Sequence, residues 1–134
     1  FTKFTSLNSF KPGTTEVIAI VPDYVDNTLN TYLKSIIGAY SKLPWANDKA
    51  VRFPSFLITT RLTLLPIVQL RLLDHASWNK AGFPATYPFE AVTGNDNPNI
   101  HKTSDTTSVS GWSWSHTLEF SKIATAFAYE LGSV

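Results

Sequence analysis

The sequence predicts an α/β fold with helices layered on a mostly parallel sheet, and three observations carry that expectation. The first is Val17-Ile18-Ala19-Ile20-Val21, an apolar, β-branched run closed by Pro22, which reads as a buried strand. The second is the segment after Asp26, where Leu29, Leu33, Ile36, Ile37 and Tyr40 recur at three- and four-residue spacing. That spacing draws one apolar stripe on a helix running to about Lys42, with Asp26 as its N-cap. The third is the order of the later elements: a short helix, a strand and a long closing helix. Strands alternating with helices favour a parallel sheet covered by helices.

Along the chain, Phe1 to Gly13 is a mixed lead-in ending in the turn Lys11-Pro12-Gly13. Asp74 is placed to cap a short helix that Gly82 ends, with Trp78 expected to pack inward. Tyr87 to Glu90 reads as a buried strand, and the polar loop Thr93 to Asn97 delivers Ile100 and His101 beyond it. The last helix begins near Ser115, carries Phe120, Ile123, Phe127 and Leu131 on one face, and stops at Gly132. Trp112 and Trp114 are expected to anchor its entry rather than to stack on a ligand.

Composition narrows the function. The chain has 134 residues, 43% hydrophobic, with net charge +1, so one modest core is within reach and no charge excess points to nucleic acid. There are no cysteines, which excludes disulfides and thiolate metal sites. The chain opens on Phe1 without a basic stretch leading into an apolar one, so we expect that processing or an incomplete reading frame removed its start. Gly-rich phosphate loops, a Ser-His-Asp order and basic aromatic patches do not occur.

Residues 50–73 break the pattern, with three arginines, two prolines, no acidic residue and no glycine among many Leu and Ile. Arg52, Arg61 and Arg71, with Pro54 and Pro66, argue against a membrane span and against an amphipathic surface helix. Two readings stand: an error of splicing or frame, which we favour, or a genuine insertion acting as a lid or binding hairpin.

His101, between an apolar residue and a turn, is the histidine placed most like a metal ligand. The run Asp74-His75-Ala76-Ser77-Trp78, Asn79-Lys80-Ala81-Gly82, Pro84-Ala85 and Pro88-Phe89-Glu90 is followed by Asn97-Pro98-Asn99-Ile100-His101, Thr103 and Asp105-Thr106, with His101 eleven residues beyond Glu90. This series resembles the C-terminal part of the secreted two-zinc leucine aminopeptidases of fungi and bacteria, and Ser113 to Gly132 resembles their last helix. The likeness covers residues 74–133 closely and 14–49 more loosely, and residues 50–73 not at all. It implies a three-layer sandwich with a mostly parallel central sheet, of which only the C-terminal portion is present, so that residues 1–134 form part of one peptidase domain.

The resemblance further implies zinc as cofactor, a peptide substrate losing an apolar N-terminal residue, and secretion, with no nucleic-acid or membrane partner. His101 matches a zinc ligand, and Phe89 and Ile100 match positions bordering the substrate side-chain pocket, although ordinary core packing explains both equally well. No catalytic residue maps onto the chain. Glu90 belongs to the strand end and not to the family's general base, while His75 and His116 read as structural or solvated. Aligned on Ser9-Phe10, Ser6 stands where the family has a metal-binding aspartate, and a neutral hydroxyl replaces that carboxylate poorly. The family's cysteine-bearing loop is also replaced by residues 50–73. One ligand does not hold a catalytic zinc, so the chain alone is expected to be inactive. The alternatives are a truncated or mis-spliced product without function, or a binding module that uses residues 50–73.

Overall fold

The computed structural model describes residues 13–49, 74–100 and 102–133. Within them the elements run β1 (Ile18–Ile20), α1 (Asn27–Tyr40), β2 (Trp45–Asn47), α2 (Asp74–Lys80), β3 (Pro88–Phe89) and α3 (Trp114–Gly132). The sheet order is β2-β1-β3. β2 lies parallel to β1, with Ile18 opposite Trp45, and α1 forms the crossover between them. β3 runs antiparallel, with Ala19 opposite Phe89 and Ile20 opposite Pro88. The sheet is therefore mixed, which corrects the mostly parallel expectation. The reason lies in the chain path: residues 85–87 run back beside the segment after β1, through Val21 N–H to Tyr87 O at 3.1 Å and Asp26 N–H to Ala85 O at 2.8 Å. That path brings β3 in against the direction of β1.

β1 is the apolar run anticipated, and it is buried throughout. Successive strand side chains point to opposite faces. Ile18 and Ile20 join Leu33, Ile36 and Ile37 of α1 and Phe120 and Ile123 of α3 in one apolar core. Ala19 points the other way, and its partner Phe89 shares that face because residues paired across an antiparallel ladder do so. There the ring of Tyr87 lies between those of Phe89, 5.8 Å away, and His75 of α2, stacked parallel to it at 4.6 Å. One face is thus aliphatic under α1 and α3, and the other is aromatic.

α1 starts as expected. The Asp26 carboxylate accepts from Leu29 N–H at 2.7 Å, satisfying an amide the first turn leaves without a helical partner. Leu33, Ile36 and Ile37 are buried, but Tyr40 is 48% exposed, so the apolar stripe ends a turn early. The reason is polar: the Tyr40 and Tyr32 hydroxyls donate to the two oxygens of Glu130 in α3, at 2.6 and 2.7 Å. Those two bonds hold the Glu130 carboxyl below its ordinary value. Glu119 makes a second tie, accepting from Lys42 N–H at 2.7 Å and pairing with Lys122 at 2.7 Å.

Trp78 does not pack inward; it is 55% exposed. α2 begins at Asp74 itself and closes in a Schellman motif, with Phe83 N–H on Trp78 O and Gly82 N–H on Asn79 O, both at 3.0 Å. Gly82 takes the left-handed backbone this needs, at φ +85°. Trp78 meets Phe83 edge to face at 5.5 Å, the hydrophobic contact that accompanies such a cap. α3 begins one residue before Ser115, capped by Ser113, whose hydroxyl accepts from His116 N–H at 3.2 Å. Phe120 and Ile123 are buried as expected, whereas Leu131 is 46% and Trp114 69% exposed. Trp114 rests edge to face on Trp112 outside the core, so the helix entry is held by its cap and not by that ring.

His116 is fully buried, its Nδ1 3.3 Å from the Glu16 carboxylate and its ring stacked on Phe120. His75 is buried too, and its Nε2 donates to Asp23 O at 3.2 Å. Its Nδ1 meets no partner among the described residues. Burial pushes the imidazole below its ordinary value, against the weaker opposing pull of Asp23 and Asp74. Both histidines are buried, so of the two readings, structural or solvated, the solvated one does not hold.

Two outcomes test this packing. Ile37→Ala should destabilise the chain by about 2–5 kcal/mol, since it opens a cavity at a fully buried core position, and Asp26→Ala by about 1 kcal/mol through the lost cap, both read by urea unfolding. The second concerns pH. Because His75 takes up a proton less readily folded than unfolded, protonation favours the unfolded chain. Stability should fall as pH drops below about 6.5, and His75→Phe, which keeps a ring against Tyr87, should flatten that slope. An unchanged slope would assign the pH dependence to other groups.

Candidate functional site

The segment between β3 and α3 carries the positions singled out in the sequence, and it is organised almost wholly by hydrogen bonds. It leaves the sheet at Glu90, which is fully buried. The chain then turns, closed by Asn95 N–H on Val92 O at 2.9 Å, with Gly94 in the left-handed region at φ +96°. A positive φ at the third residue is what a type II turn requires, and glycine supplies it without strain. Asp48, just past β2, anchors the turn from outside: its two oxygens accept from the Thr93 N–H and hydroxyl, both at 2.8 Å.

Asn97 is the centre of the next part and is 1% exposed. Its backbone N–H donates to Glu90 Oε1 at 2.9 Å, and its backbone carbonyl accepts from Ile100 N–H at 3.2 Å. Its side-chain oxygen accepts from Asn99 N–H at 2.9 Å, an Asx turn across Pro98, and its amide nitrogen donates to Asp105 at 2.6 Å. Lys102 N–H to Asn99 O and Ser104 hydroxyl to Asn99 Oδ1, both at 2.9 Å, complete the loop.

Within this frame Phe89 sits on β3, half-buried, with its ring against Tyr87. Ile100 is half-buried in the loop and tied through its amide to Asn97. His101 lies outside the described residues, as do Ser6 and residues 50–73. The surroundings are acidic. Burial, then the charges of Glu90 and Asp48, push the Tyr87 hydroxyl up to about 12, so it remains a neutral phenol. Sequence reasoning saw a polar loop here but missed Asn97 and Asp48 as its organisers. The Asn-Pro-Asn run was the available signal, because Asn before Pro favours an Asx turn.

The described donors do not by themselves fit a zinc centre, since no three His, Asp or Glu side chains among them converge. No described helix is long and apolar enough to cross a membrane.

No family model matches the chain. Among curated proteins, a probable leucine aminopeptidase of Arthroderma otae is 33% identical over 125 residues, covering 93% of this chain and 29% of that protein. Leucine aminopeptidase 1 of Fusarium vanettenii is 29% identical over 120 residues, covering 90% and 26%. Among solved structures, Legionella pneumophila LapA aminopeptidase superposes with TM-score 0.73 at 28% identity, over 96% of this chain and 29% of that one. LapB from the same organism gives TM-score 0.72 at 25% identity, over 94% and 29%. The chain thus spans about a quarter to three tenths of the length of the proteins it matches. In sequence the chain is similar to one part of the fungal leucine aminopeptidases, and in fold to one part of a Legionella aminopeptidase.

Proposed function

We propose that the chain descends from the C-terminal part of a secreted, zinc-dependent aminopeptidase that releases apolar N-terminal residues from peptides, and is inactive by itself. The observation that carries this reading is the joint likeness in sequence and fold to aminopeptidases over more than nine-tenths of the chain. In this reading the chain forms part of one three-layer peptidase domain. His101 contributes one ligand to a zinc centre whose other donors come from outside the described residues. Phe89 and Ile100 border the pocket for the departing side chain, and their half-buried rims suit an apolar group that must also leave. A zinc ion held there would polarise the carbonyl of the scissile peptide bond and activate a water. The residues of this chain position: Phe89 is set by β3, and Ile100 by its bond to Asn97. Glu90 is given no proton-transfer role, because its carboxylate is buried and engaged with Asn97 N–H.

The purified chain with added zinc should leave leucine p-nitroanilide unhydrolysed above buffer background, since a hydrolytic zinc site needs three or more protein ligands. Activity should require a longer polypeptide that supplies the remaining length of a relative, together with Ser6→Asp and a cysteine-bearing loop in place of residues 50–73. In that assembly chelators should stop turnover, and His101→Ala should lower both zinc content and rate. Equal zinc and equal rate with and without His101 would make it a structural residue.

A further inference from the structure

We propose that His75 is the pin of an acid-released clasp, which holds α2 against the chain entering β3 and against the turn before α1. This goes beyond the proposed activity and involves no metal. Three described parts of the fold meet at the one ring. It stacks parallel on Tyr87, just before β3, at 4.6 Å. Its Nε2 donates to Asp23 O, in the turn, at 3.2 Å. Its own helix has little other hold, since within α2 only His75 and Ala76 are buried.

The turn is kept under constraint. Tyr24 has φ +55°, a left-handed backbone that a bulky side chain keeps only where its surroundings impose it. Two contacts from α2 help impose it: His75 on Asp23 O, and the Lys80 ammonium over the Tyr24 ring at 5.9 Å. Asp26 N–H on Ala85 O, at 2.8 Å, adds a third from the chain before β3. Release of α2 removes the first two and lets Tyr24 relax. α2 does not persist undocked, because seven residues are too few for a helix to stand alone in water. The clasp is therefore either closed or unwound.

The ring geometry decides where a proton goes. A nitrogen facing a carbonyl must donate, so Nε2 carries the hydrogen of the neutral ring and Nδ1 is left to be protonated. Nδ1 is buried and meets no partner among the described residues, so a new N–H there finds no acceptor. The neighbouring charges do not reverse this. Burial outweighs the pull of Asp23 in the turn and Asp74 in α2, both of which favour the proton. Asp26 is engaged with Leu29 N–H, Lys80 with the Tyr24 ring, and Tyr87 is a neutral phenol on which Glu90 and Asp48 act. No residue of α2 belongs to the apolar core, so the clasp opens while the core stays folded.

The test is amide hydrogen exchange by NMR on the full chain, from about pH 7.5 to about pH 5.5, read as protection factors. Ala81 and Phe83, whose N–H groups both bond to Trp78 O, should lose protection as pH falls, by up to about tenfold per pH unit for one proton. Amides of β1 and α1 should keep theirs. His75→Phe keeps a ring against Tyr87, and His75→Gln keeps a donor for Asp23 O; neither takes up a proton, so both should remove the slope. If neither folds, the unaltered chain decides. Its His75 imidazole signals should titrate below the ordinary histidine range, over the same pH span in which α2 loses protection. Loss of protection in step across α2 and core, a slope that survives both substitutions, or titration of His75 at or above about 6.5 would overturn the proposal.

Discussion

The complete burial of β1 is the constraint from which the other described parts take their places. A strand with 0–2% exposure at Ile18, Ala19 and Ile20 must satisfy every peptide group inside the protein. It does so by taking a partner on each edge. Pro44 and Asp48 close the ladder on one side, through Ile18 N–H to Pro44 O and Asp48 N–H to Ile20 O, both at 2.9 Å. Tyr87 continues it on the other. Once both edges are filled, the two faces sort by shape: branched aliphatics meet the long helices, and the small Ala19 leaves room for the flat rings of Phe89 and Tyr87. Asp48 and Glu90, the carboxylates that organise the loop, are the first residues past the two strands that flank β1. Core and site are therefore one problem in chain routing.

Where the sequence spoke through periodicity, it was legible. The β-branched run at 17–21, the Asp26 cap, the stripe Leu33-Ile36-Ile37 and the face Phe120-Ile123 all stand as read, since buried apolar surface dictates spacing. The rest was decided by tertiary contacts. β2 escaped notice because Trp45-Ala46-Asn47 is too short to carry a pattern and takes its strand form from β1. The direction of β3 depended on how the chain returns past Val21, which no local signal encodes. Trp78 and Trp114 were expected inside because tryptophan is usually buried, yet each rests against one neighbouring ring at a helix end. At the candidate site, residue types pointed to a polar loop, but the bonds that shape it leave almost no trace in spacing.

The loop and its scaffold are stabilised in different ways, and this bears on how such a site persists. The core depends on area and tolerates exchanges of similar volume. The loop depends on the pairing of single donors with single acceptors, where losing one partner strands the other. Sequence drift at about 30% identity is compatible with keeping the first, because many apolar combinations fill one space. The second is less forgiving, and the Asn-Pro-Asn-Ile run is the kind of segment in which change is costly.

The Glu130 carboxylate draws out a last point. Tyr32 and Tyr40 stand eight residues apart on α1, roughly 12 Å along its axis, yet both hydroxyls reach the same side chain on α3. A carboxylate that receives one phenol from each direction works as a caliper. Sliding α3 by a single residue, or rotating it to present a neighbour, would release both hydroxyls together. The apolar seam between the helices would accept such a shift more readily, because contacts such as those of Phe120, Ile123, Ala126 and Phe127 are non-directional. Greasy contact decides that the two helices adhere, and the paired phenols decide at which notch they stop.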